Sequence, residues 1–137
     1  MTTIHAGAVA IGGRGLLILG PSGSGKSALA LALMALGARL VADDRVILRA
    51  EGGDLLADCP PPIAGRIEAR GVGILRAQAA GPVALAQVVD LGRAEPDRLP
   101  PLRHITLLGV TLPLVLGPMT PHLPSALVQL IRCGRCD

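Results

Sequence analysis

The 137-residue chain contains no phenylalanine, tyrosine or tryptophan. Nucleic-acid modules that stack bases on aromatic rings are thereby excluded, and no aromatic slot exists for a purine. Lysine is almost missing too: Lys26 is the only one, against twelve arginines scattered from Arg14 to Arg135. The net charge of +3 is small and unclustered, so there is no polybasic arm to follow a phosphate backbone or an anionic membrane. Cys59, Cys133 and Cys136 are too few and too unevenly spaced for a disulfide framework, which fits a reducing, cytoplasmic setting. Cys133 and Cys136 have the spacing of half a zinc site, but no second pair exists, and the 133–137 tail reads as frayed. Residues 1–10 lack the basic region and apolar core of a secretory signal. The apolar stretch 104–131 is broken by Pro113, Pro118, Pro121 and Pro124, short of the about 20 uninterrupted residues a membrane helix needs. His104 and His122 have no ligand-spaced partner and read as ordinary surface or core histidines.

What is present points to a folded core. Half the residues are hydrophobic and 17% are charged, the reverse of a disordered segment. At roughly 100–200 residues per domain, 1–137 reads as a single domain. Residues 3–11 and 15–19 are short apolar runs separated by Gly12, Gly13 and Arg14, a hairpin-like signal. Residues 27–38 are rich in Ala, Leu and Met and predict a helix, with Gly37 where a left-handed C-cap belongs. Residues 39–42 and 45–50 predict strands flanking Asp43 and Asp44, and 51–54 turn the chain back. Three prolines stiffen 59–62. Residues 82–91, 104–108 and 111–116 predict further strands, 93–101 an exposed loop and 125–132 a short terminal helix. Many strands with two helices make an α/β sheet domain.

One motif dominates. Leu16 to Leu19 lead into Gly20, Pro21, Ser22, Gly23, Ser24, Gly25, Lys26 and Ser27, which is G-x-x-x-x-G-K-[ST] between a strand and a helix. In this context backbone amides converge on phosphate oxygens and the helix presents its positive end. Lys26 then reaches the β- and γ-phosphates and the Ser27 hydroxyl serves Mg²⁺. A chain that uses arginine everywhere else places its one lysine where a compact point charge suits better than a planar fork. Beyond the loop, Asp43 and Asp44 close a predicted strand; the pair taken alone fits either a γ-phosphate site or a solvated turn.

These segments together resemble the HPr kinase/phosphorylase family, in a short form with only the C-terminal catalytic domain. The resemblance runs from His5 through the P-loop, then GARLVADDRV (37–46) and IEARGVGIL (67–75), and continues through PDRL (96–99) and LLGVTLPLVLGP (107–118). It implies a P-loop kinase domain like the phosphoenolpyruvate carboxykinase nucleotide-binding fold, a bent mixed sheet with few helices. It implies an ATP- and Mg²⁺-dependent serine kinase acting on the phosphocarrier protein HPr within a phosphotransferase-system pathway. By the same resemblance His5 is the active-site histidine and Lys26 the phosphate-binding lysine. Asp43 takes the proton from the serine and His5 lies beside it; Ser27 and Glu68 hold Mg²⁺, and Arg98 lies near the transferred phosphoryl group. Gly71 and Gly73 permit either close backbone approach at the site or a bulge. The family is commonly oligomeric. It usually carries a basic stretch tied to phosphorolysis where residues 116–121 have no cation, so phosphorolysis is left open. The motifs by themselves also accommodate a P-loop kinase of a small metabolite, or a non-catalytic nucleotide-dependent binding protein.

Overall fold

A computed structural model describes all residues, Met1–Asp137. The strands are β1 (Thr2–His5), β2 (Gly7–Ile11), β3 (Arg14–Leu19), β4 (Arg39–Ala42), β5 (Arg45–Glu51) and β6 (Asp54–Asp58). They continue as β7 (Arg66–Ala69), β8 (Gly73–Arg76), β9 (Val83–Ala94), β10 (Arg103–Leu107) and β11 (Val110–Gly117). The helices are α1 (Lys26–Ala35) and α2 (Leu123–Cys133). A single 3₁₀ turn, Pro61–Ile63, follows the stiff connector. The run expected as one strand over 3–11 is two, because the chain changes partners at Ala6: β1 pairs with β5 and β2 with β3 and β4.

Nine strands form one mixed sheet in the order β1-β5-β6-β9-β3-β2-β4, with β11 and then β10 added beside β9. The long β9 makes the sheet curl. One of its edges lies parallel to β3. Its other edge pairs first with β6, at Val83 and Ala84, and then with β11 from Val88 onward. Because one strand serves two partners along the same edge, β6 and β11 diverge and the sheet wraps on itself.

Alternation on the central strands divides the core in two. Leu17 and Val88 face the inside of the curl, where Leu48, Leu55 and Leu114 pack. Leu16, Ile18 and Val89 face the opposite side and pack beneath Leu29 and Leu33 of α1 and Leu127 and Ile131 of α2. β3 is covered on both faces, which is why its sequence reads as a continuous apolar run. Gly37 ends α1 as expected, at φ +105°, a region open to glycine at little cost.

The sequence-based loop over 93–101 begins two residues later, because β9 continues to Ala94. Arg103 holds the Glu95 carboxylate with Nε and Nη2, each at 2.8 Å, and the Glu95 amide donates to Gly117 O. The Arg103 hydrogen bond holds the Glu95 carboxyl below its ordinary value. The unfolded chain therefore binds more protons in acid than the folded one. The stabilisation is complete above the ordinary carboxylate value and is lost as pH falls through the lowered folded one. Glu95→Gln is expected to flatten the acid side of a urea-midpoint profile while leaving the slope above neutrality unchanged.

The C-terminal tail is held rather than frayed. Arg135 is braced by both oxygens of Asp137 at 2.8 and 2.9 Å and donates through Nη2 to Pro100 O at 2.8 Å. No helix is long and apolar enough to cross a membrane.

Candidate functional site

β3 ends at Leu19, and the 20–27 loop carries the chain into α1. Gly25 caps the helix at φ +100° with no side-chain hydrogen bond, and the first turn has no acidic residue. The first amides of a helix have no intrahelical acceptor. A glycine cap forgoes only a few tenths of a kcal/mol relative to Ser or Asp, and a cation at this end costs about 0.3–1 kcal/mol. This helix carries both penalties, since Lys26 is its first residue. The ammonium donates to Gly20 O at 2.7 Å and Pro21 O at 3.1 Å, closing the loop on itself. Ser24 Oγ is buried inside the loop without any partner. Close backbone packing holds the loop from behind. A Cβ on Gly92 would lie 2.8 Å from Pro21 Cδ and 3.7 Å from Gly20 Cα.

Asp43 and Asp44 form the facing wall, at a bend between β4 and β5. Asp44 sits at φ +72°, a left-handed conformation that Asp tolerates better than most residues. The bend sends the two carboxylates to different partners. Asp43 Oδ1 accepts from Ser27 Oγ at 2.8 Å, and its Oδ2 accepts from the Glu68 amide at 3.1 Å. Asp44 Oδ1 pairs with His5 Nε2 at 2.8 Å, with Arg45 Nε 3.8 Å from its other oxygen. His5 shares the cleft with Asp43 as expected, but its hydrogen bond goes to the neighbouring acid: register on β1 and β5 sets His5 across from Arg45, and its ring reaches Asp44.

A cleft of about 530 Å³ brings together His5, Lys26, Ser27, Asp43 and Glu68, along with Ser22, Gly23 and Gly25 from the loop. Gly20, Pro21 and Ser24 belong to the loop but do not line the cleft. Arg98 is not in it either: the residue is exposed, forms no ion pair and lies on the loop anchored through Glu95. Six lining residues fell outside the sequence-based set: Ala28, Leu31, Asp44, Ala69, Arg70 and Val72. The adjacent acids were a visible signal for Asp44, and Arg70 and Val72 lie within the IEARGVGIL segment of the resemblance, although no role was given to them there. Gly71 and Gly73 serve the β7–β8 turn at φ +84° and +141°, and a Cβ at either would meet no protein atom within 4 Å.

The polar groups suit a polyphosphate with a hard divalent cation. Ser27 Oγ and the carboxylates of Asp43 and Glu68 are oxygen donors in one cleft, the type Mg²⁺ takes. No group of three His, Cys, Asp or Glu forms a metal cage. Mg²⁺ is commonly held by one or two carboxylates plus substrate phosphates.

A family model described as the HPr Serine kinase C-terminal domain matches residues 1–85, more than half of the chain. The chain belongs to that family. A solved structure of the HPr(Ser) kinase/phosphatase from Coxiella burnetii is 30% identical, with a TM-score of 0.82 over 96% of this chain and 95% of that one. This HPr kinase-family domain therefore shares its curled mixed sheet and two helices with a family member along nearly its whole length. HPr kinase/phosphorylase 1 of Oceanobacillus iheyensis is 51% identical over 75 residues, 54% of this chain and 24% of that protein. HPr kinase/phosphorylase of Brevibacillus brevis matches to the same extent. The chain thus spans about a quarter of the length of these relatives.

Proposed function

We propose that the chain is an ATP- and Mg²⁺-dependent protein kinase that phosphorylates a serine of the phosphocarrier protein HPr. The observation that carries this reading is the start of α1, which has no side-chain cap and no acid in its first turn and where Lys26 and Ser27 share one cleft with Asp43, Asp44 and Glu68. The local costs at the helix start are offset when an anion binds there. The names of the relatives supply the acceptor.

In this reading the 20–27 loop is a P-loop that grips the triphosphate with its amides and Lys26. Ser27, Asp43 and Glu68 would hold Mg²⁺, which when bound neutralises charge on the phosphate oxygens. Asp43 Oδ1 is already committed to Ser27 Oγ, so Asp43 belongs to the cation side of the cleft. Asp44 is left to accept the proton, a change from the role the family resemblance gave to Asp43. His5, at 2.8 Å, fixes the orientation of the Asp44 carboxylate. The serine Oγ forms a bond to the γ-phosphorus of ATP as its proton passes to Asp44. The bond from that phosphorus to the bridging oxygen breaks, and ADP leaves. Arg98 remains a proposed contributor only if its loop moves to the cleft when the substrates bind. In the 116–121 segment Met119 packs near Gly25, and no cation is present to receive inorganic phosphate, so phosphorolysis is expected to be weak.

The test is incubation with γ-labelled ATP, Mg²⁺ and HPr. Label is expected on a serine of HPr, with Lys26→Ala reducing the rate on the order of 10²–10³-fold. Transfer to a small metabolite instead would overturn the reading, as would nucleotide binding without any transfer. A second incubation of phosphorylated HPr with inorganic phosphate measures the reverse direction.

A further inference from the structure

We propose that the outer face of the β7–β8 hairpin is the docking surface for an acidic polypeptide segment, that of the protein carrying the acceptor serine. The proposal rests on the kinase reading and adds how the protein substrate is held. The hairpin is a two-stranded sheet apart from the main one, and alternation gives it two unlike faces. Ile67 and Leu75 face inward and pack in the core beneath α1. Arg66 and Glu68 face outward on β7, opposite Arg76 and Ile74 on β8.

Folding alone does not account for that outer face. Arg66 lies directly across the ladder from Arg76, and like charges in this position destabilise a strand pair. No acid lies within ion-pair distance of Arg66, Arg70 or Arg76. Between these guanidiniums stand Ile74, 65% exposed, and Val72, 76% exposed. An acidic partner relieves the repulsion through bidentate carboxylate contacts, while its apolar side chains cover the two aliphatic residues. Glu68, Arg70 and Val72 also line the catalytic cleft, so a segment on this face leads its hydroxyl to Asp44. Aliphatic rather than aromatic residues among the arginines favour a polypeptide over a nucleic acid.

Steady-state phosphorylation of HPr at low and high salt tests the surface, with the variants Arg66→Gln/Arg76→Gln and Ile74→Ser. Each is expected to raise KM for HPr roughly tenfold with kcat and KM for ATP unchanged, and the double variant to lose the salt dependence of KM. Its urea midpoint is expected not to fall, since two opposed charges are removed. Should the double variant fail to fold, Arg76→Gln alone carries the same readout. Wild-type KM for HPr in folded variants would refute the docking surface and leave the kinase reading standing. A rise in KM for ATP instead would assign the arginines to the nucleotide and likewise refute it. Absence of transfer to HPr by the unaltered chain would remove both.

Discussion

Replacing Asp44 with asparagine is expected to slow transfer to the acceptor serine by about 10²–10⁴-fold, the usual contribution of a positioned base. Asparagine keeps the shape of the side chain and an oxygen for His5 but cannot take up the serine proton. Nucleotide affinity should therefore stay close to that of the unaltered chain. Asp43→Asn should behave differently. Its partners are Ser27 Oγ and the Glu68 amide, so weaker Mg²⁺-dependent nucleotide binding should come first, with part of the rate restored at high Mg²⁺. Parallel titrations of Mg²⁺ and ATP with both variants, each followed to a saturated rate, separate the two roles. If Asp43→Asn is dead at saturation while Asp44→Asn retains most of its turnover, the assignment is reversed. The expectation depends on the bend at Asp44, which divides the carboxylates between two partners 39 and 16 residues away in the chain.

Leu17→Ala is expected to have the largest effect on stability. Leu17 is fully buried on β3, between Ala8 of β2 and Val88 of β9 in the strand register, and truncation leaves a cavity inside the curl. Such changes cost about 2–5 kcal/mol, against a total of about 5–15 kcal/mol for a domain. The measurement is urea unfolding, with a lower midpoint at an unchanged slope. A loss below about 1 kcal/mol would show that the core relaxes around the gap, contrary to the dense packing of the two faces of β3. The absence of aromatic residues makes refilling difficult, because the neighbouring side chains are small: Ala8, Ala10 and Ala57 share this side of the core.

Local patterns were read well because local forces decide them. The apolar run, the glycines and the Ala- and Leu-rich segment gave β3 and the loop nearly to the residue and α1 with an end three residues too late, and the paired glycines at 12–13 and 52–53 sit in turns as expected. Partner choice was less visible. The 3–11 run gives no local sign that Ala6 divides it, because both halves are equally apolar and only pairing with β5 or β3 separates them. The tail looked free because Pro100, its anchor, lies 35 residues upstream. The resemblance places Arg98 near the phosphoryl group through its PDRL segment, while its side chain is exposed and does not line the cleft.

The order of residues alone determined that a glycine loop with one lysine would join a buried strand to a helix, and it revealed the family through segments that keep their order. Backbone freedom at glycine and apolar periodicity act over a few residues, so they are written in the chain itself. Tertiary structure alone decided which aspartate meets Ser27 and which meets His5, and which face of the 66–76 hairpin is turned outward. Those outcomes depend on strand register and on one left-handed residue at Asp44, where a change of a single position exchanges the faces of every side chain that follows.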